Sequence, residues 1–155
     1  MVKKRYLIFT VFGVLLLAIG VISVNAQQNA YPPKDVVENS DITISASFLE
    51  DEQVVHWETH NRSTVTMEYG APFFLERYNA LSGWQGVPVV NENVAWILPL
   101  YTLKPGETTV ADTPLENLEL MYGPLSPGRY RLVREFNPSG FREDVFYAAG
   151  EFTLN

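Results

Sequence analysis

The chain has 155 residues, 46% of them hydrophobic, 13% aromatic and 19% charged, a balance that excludes a disordered chain and predicts one packed domain rather than two. Cysteine is absent, which excludes a disulfide framework, a thiolate metal site, a cysteine nucleophile and a lipid-modified cysteine behind a leader. The net charge is −7, and residues 27–155 alone carry 8 basic against 18 acidic residues, or −10; such a domain repels phosphate backbones, so nucleic acid is not an expected partner.

Residues 1–26 read as an address. A basic start, Lys3-Lys4-Arg5, precedes an apolar run over 6–24, and Val24 and Ala26 occupy the two small positions of a cleavage signal. The run is also long enough to span a bilayer as a helix, so cleavage after Ala26 and an uncleaved N-terminal anchor helix both remain open. Either way the positive start holds the N-terminus inside, and residues 27–155 are expected outside the cell, secreted or anchored to the outer face of the plasma membrane. Residues 27–40 are polar, lack periodicity and contain Pro32-Pro33, as a tether does.

The folded domain is expected over 41–155. Alternation, the mark of a half-buried strand, places Ile42, Ile44, Ala46 and Phe48 on one face and Thr43, Ser45 and Ser47 on the other. The charged stretch 50–52 is a turn. Next, Val55, Trp57 and Thr59 alternate with His56, Glu58 and His60, and then Val65, Met67 and Tyr69 with Thr64, Thr66 and Glu68. An extended 73–78 leads to a hairpin tip at Ser82-Gly83. Further strands are expected near 87–90 and 94–103, where Pro88 and Pro99 favour sheet edges. Pro105-Gly106 is a turn, and the spacing of Leu115, Leu118 and Met121 or Tyr122 predicts a short helix or a crossover within 114–123. Two last strands, 129–136 and 145–154, are joined by a loop over 137–144. In the final one Phe146, Ala148, Gly150, Phe152 and Leu154 share a face, with Ala148 and Gly150 leaving room for large neighbours. About seven to nine short strands with frequent turns predict an all-β, antiparallel β-sandwich; a closed barrel is the alternative.

The stretch 125–132 carries the strongest local signal. Where a chain crosses between sheets, a tyrosine just inside the next strand buries its ring and returns its hydroxyl to an upstream backbone group, a tyrosine corner. Leu125 would plug the core, Pro127 would set the turn, Gly128 would adopt an angle other residues avoid, and Tyr130 would be the pin. A plain Pro-Gly turn is the alternative. Arg134 shares parity with Tyr130, Leu132 and Phe136, which places it at the core's rim or at a bulge.

Taken together, residues 60–78, the Gly83-Trp84 pair, 103–108, 125–136 and 145–154 resemble the bacterial Ig-like domain family of small exported proteins. The family's pattern of Asn-x-Ser, Tyr-Gly, F-x-L-E, Gly-Trp, two L-x-P-G turns and A-x-E-F-T is matched over roughly 55–155. The resemblance implies an immunoglobulin-like sandwich outside the cell and brings no catalytic residues. Many relatives carry an anchoring cysteine that this chain lacks.

Candidate sites are few. His56, Glu58 and His60 could form a zinc or iron shell, but along a straight strand the two histidines begin about 13 Å apart, so a solvated polar face accounts for them better. The acidic stretch 49–52 lacks a calcium loop's spacing, and no serine sits in a G-x-S-x-G elbow. Asn61-Arg62-Ser63 fits a glycosylation sequon. The loop over 137–144 is the expected binding loop, with Phe141 and Arg142 as interface-type side chains; Phe141 folding back on the core is the alternative. The expectation is therefore a non-enzymatic domain without cofactor or metal. Its partner would be an envelope or extracellular protein, with membrane contact through an uncleaved N-terminal helix. A secreted inhibitor that plugs a protease with a sandwich-end loop is the second reading.

Overall fold

Residues 41–91, 99–139 and 145–155 are described by a computed structural model, all within a compact unit spanning Pro32–Asn155. The expected leader and tether, including the N-terminal helix, lie outside the described residues, as do Phe141 and Arg142 of the expected binding loop.

The alternating segments form strands. β1 (Ile42–Leu49) pairs antiparallel with β2 (Val54–Asn61), and the turn between them is closed by Glu52 N–H donating to the Leu49 carbonyl. β3 (Met67–Gly70), β4 (Phe74–Asn79) and β5 (Gly83–Gly86) follow, then β6 (Leu100–Leu103), β7 (Thr108–Pro114), α1 (Leu115–Tyr122), β8 (Gly128–Pro138) and β9 (Phe146–Leu154). β1, β2 and β7 make a three-stranded sheet, and the other six strands make the second. All the pairings are antiparallel. The described residues therefore form an all-β sandwich with nine strands and one short helix.

β8 is the spine of the larger sheet. Along one edge it pairs with β9 without interruption from Gly128 to Phe136. Along the other it meets β4 through Tyr130–Val133 and then β3 through Asn137 and Pro138. The orders β1-β2-β7 and β9-β8-β4-β5 correspond to the two facing sheets of an immunoglobulin-type sandwich, with β8 as the strand that follows the corner.

The core lies between the sheets in two clusters. One gathers Val55, Trp57, Leu75, Tyr130, Leu132 and Phe152 with the helix residues Leu118, Met121 and Tyr122. The other gathers Ile42, Met67, Tyr69, Leu103, Phe136 and Ala148, and Ile44 packs against both. Near Gly150 the sheets come closer than large side chains allow. A Cβ on Gly150 would stand 2.6 Å from Ile44 Cγ2 and 3.2 Å from Ala46 Cβ. The small residues of the last strand thus let it close against β1.

Four expectations change. No strand forms over 87–90; Val87 and Val90 instead donate backbone hydrogen bonds to Leu75 and Met121. Val65 does not share the inward face of Met67 and Tyr69 but is exposed, because Asn61 Nδ2 binds the Val65 carbonyl and holds 62–66 in a turn. Arg134 marks no bulge, since the β8–β9 register runs through it unbroken. The sequon asparagine is wholly buried, its Nδ2 donating to the carbonyls of Val65 and Leu103 and its Oδ1 accepting from Ser63 N–H and Oγ–H. Asn61 is a structural cap, out of reach of any glycosylating enzyme in the folded state.

Candidate functional site

The corner residues come together at the start of β8. The Tyr130 hydroxyl donates to the Ser126 carbonyl at 2.6 Å, and its ring is buried against Phe152. Leu125 is half-buried against the same core cluster. Gly128 has φ 154°, and a Cβ there would press on the Arg77 guanidinium at 3.3 Å. Arg77, which sequence parity does not single out, donates to the Pro127 carbonyl at 3.0 Å and lies 5.7 Å from the Tyr130 ring centroid. The crossing is thus held by one hydroxyl and one guanidinium on consecutive carbonyls.

Beside this corner, the outer face of β5, β4, β8 and β9 carries a ladder of arginines and aromatic rings. Register sets Trp84 beside Tyr78 and Glu76 beside Arg131, with Arg131 next to Glu151. Arg129 stacks on Tyr78 at 4.6 Å and reaches Glu151 at 2.8 Å. Arg131 stacks on Trp84 at 4.5 Å and is hydrogen-bonded to Glu76. Tyr78 and Trp84 meet edge to face, 5.3 Å apart. The hairpin tip above them is shaped by Asn79 Oδ1, which accepts from the backbone N–H of Leu81 and Ser82, and by Gly83 at φ 73°. That turn leaves Leu81 100% exposed. Tyrosine, tryptophan and arginine gathered in this way have the composition of an interface anchor. Sequence alternation held the signal: Glu76 and Tyr78 share one parity, Arg129 and Arg131 another, and only the pairing of β4 with β8 joins them.

The polar face of β2 does not gather its two histidines. His56 Nδ1 instead pairs with Asp112 of β7 at 2.7 Å, and its Nε2 lies 3.8 Å from Glu58. The Asp112 hydrogen bond holds the half-buried His56 imidazole above its ordinary pKa, with the charges of Asp112 and Glu58 acting in the same direction. Among the described residues no group of three or more such side chains is placed to hold a metal ion.

Arg134 occupies an unusual place, only 8% exposed and between the sheets. Its guanidinium stands 4.1 Å from the Trp57 ring and 5.1 Å from the Tyr69 ring, so it touches both core clusters. One longer bond, 3.4 Å, runs to the Ala71 carbonyl, and its Nε makes none. Burial pulls it down to about 10.

The bacterial Ig-like domain family model matches residues 37–153. No curated protein matches the chain. Among solved structures, the ASH/PapD-like domain of human CEP192 (PapD-like domain 7) is 11% identical with a TM-score of 0.37, covering 79% of this chain and 89% of that one. A β-glucosidase from Listeria innocua, in complex with gluconolactone, is 14% identical with a TM-score of 0.29; the match covers 72% of this chain and 16% of that one. Neither likeness bears on what this chain does.

Proposed function

The chain belongs to the bacterial Ig-like domain family, and from that premise we propose that it is a non-enzymatic, extracytoplasmic domain that binds another protein at the cell envelope. The observation that carries this reading is the β4–β5 hairpin. Its tip presents Leu81 wholly to solvent, on a base made rigid by Tyr78, Trp84, Arg129 and Arg131. Tyrosine, tryptophan and arginine are the side chains that dominate binding energy at protein interfaces, and Tyr78, Trp84, Arg129 and Arg131 gather on one another beside the exposed tip. The N-terminal address supports a destination outside the cytoplasm, with the domain either released or held at the membrane by residues 1–26.

The test is cross-linked capture from native envelopes, comparing the wild-type chain with Leu81→Asp and Arg129→Glu, together with fractionation of the native protein. A partner recovered by the wild type and lost with both folded variants supports the reading. The same partner recovered equally by all three, or a protein confined to the cytoplasm, overturns it.

A further inference from the structure

β7 is one of the two end strands of the three-stranded sheet, and among the described residues only its β2 side is paired. β7 pairs with β2 through Thr108–Pro114, and among the described residues its backbone makes no other hydrogen bond. One end of the larger sheet, β5, is treated differently. On β5 the Gln85 side chain folds onto the Trp84 and Ser82 carbonyls at 2.8 and 3.0 Å, so part of that edge is already occupied. Over Thr108–Asp112 the edge has no lysine, no proline and no bulge, its register with β2 running unbroken; its one charge is Asp112, and its proline, Pro114, stands at the end of the strand. In the middle of this edge Val110 is 54% exposed, on the solvent face of the sheet beside Glu58.

We propose that β7 pairs with β7 of a second copy of this chain, antiparallel about Val110, joining two three-stranded sheets into one of six strands. The sequence of the edge is self-complementary in this register. Val110 lies opposite its own twin, so the exposed valine of each copy is covered by a β-branched neighbour of the same shape. Thr108 lies opposite Asp112 of the partner strand, a hydroxyl facing a carboxylate, and Thr109 lies opposite Ala111. The one charged residue of the strand is kept away from its twin. The two copies of Asp112 sit about 13 Å apart along the ladder, beyond the screening length of about 8 Å at physiological salt, and each is already paired with a histidine at 2.7 Å. Centring the ladder on Asp112 instead would place two carboxylates face to face and set Val110 against Pro114, which disfavours that register. This contact is separate from the hairpin face, which lies on the other sheet.

The absence of cysteine makes the test direct, because one introduced thiol reports only on its own twin. Residues directly opposite in an antiparallel ladder are about 4.5–5.5 Å apart between Cα atoms, within the span a disulfide bridges. Val110→Cys in the full-length chain is expected to form a disulfide-linked dimer under mild oxidation at least about tenfold faster than Leu81→Cys, whose thiol is the more exposed of the two. In a second measurement, Val110→Lys and Val110→Glu each weaken self-association, and mixing the two restores it as a heterodimer, because like charges directly opposite repel and unlike charges attract. Equal cross-linking at Val110 and Leu81, or charged variants that associate as the wild type does, overturns the proposal. A wild-type chain that stays monomeric into the millimolar range overturns it too.

Discussion

The guanidinium of Arg134 lies 4.1 Å from the ring of Trp57, joining β8 of one sheet to β2 of the other. In immunoglobulin domains the facing strands at this place are tied by a disulfide whose second cysteine follows the corner tyrosine by two residues. Here that position is Leu132, and the chain has no cysteine. The tie between sheets is therefore aromatic and apolar: Trp57 and Leu132 in the first core cluster, and Arg134 stacked on Trp57 and Tyr69.

A buried cation with no carboxylate partner among the described residues favours the more weakly hydrated, planar guanidinium over an ammonium. Arg134→Lys is expected to lower unfolding stability by about 2 kcal/mol or more, while Arg134→Met, which fills the same space without a charge, costs less. Urea unfolding of both variants checks the order; a lysine variant as stable as the wild type would contradict it.

The corner hydrogen bond makes a second expectation. Tyr130→Phe keeps the ring against Phe152 but leaves the Ser126 carbonyl without its 2.6 Å donor. The loss should be about 1–3 kcal/mol in the same unfolding measurement, with the dichroism spectrum of the folded state unchanged.

Close approach of β1 and β9 depends on the missing side chain at Gly150. Gly150→Ala places a methyl group 2.6 Å from Ile44 Cγ2, on a stiff β-branched side chain that has little freedom to retreat. Overpacking of this kind costs about 1–3 kcal/mol. Thermal melts of Gly150→Ala alone and with Ile44→Ala should show the two changes to be less than additive, since the second removes the atom the first collides with.

His56 offers a pH readout. Its pKa in the folded chain is raised above the ordinary value of about 6.5, chiefly by the hydrogen bond to Asp112. A raised folded-state pKa means that the protonated pair contributes to stability below the unfolded value and that this contribution disappears as pH climbs through the folded one. Proton NMR of the His56 ring should titrate above 6.5, and Asp112→Asn should bring it down; a titration at or below the ordinary value would contradict the geometry.

Much of the fold is legible in the residue order. Alternation in 42–48 and 54–60 marks the two faces that β1 and β2 present, because a strand's period of two is local and the core demands one face of each. The Pro-Gly pairs at 105–106 and 127–128 and the apolar spacing from Leu115 to Tyr122 are likewise short-range. Where local reading fails, a distant partner intervenes. Val65 continues an alternating pattern yet points to solvent, because a buried asparagine four residues earlier takes its carbonyl. Asn61 reads as a surface sequon and is a buried cap, because its amide also reaches Leu103, 42 residues away. His56 reads as one member of a row on β2 and pairs with Asp112, 56 residues on.

Sequence by itself determined that this is a cysteine-free, acidic, strand-built domain behind an apolar N-terminal run, and where its turns and inward faces fall. Only the tertiary structure decided that Arg134 sits inside between two rings, that Tyr78, Trp84, Arg129 and Arg131 gather on one another, and that β7 pairs only with β2 among the described residues. The division is physical: periodicity and turn chemistry act over a few neighbouring residues, whereas a cation's burial, a cross-strand ladder and a strand's place at the end of a sheet depend on which strands lie side by side.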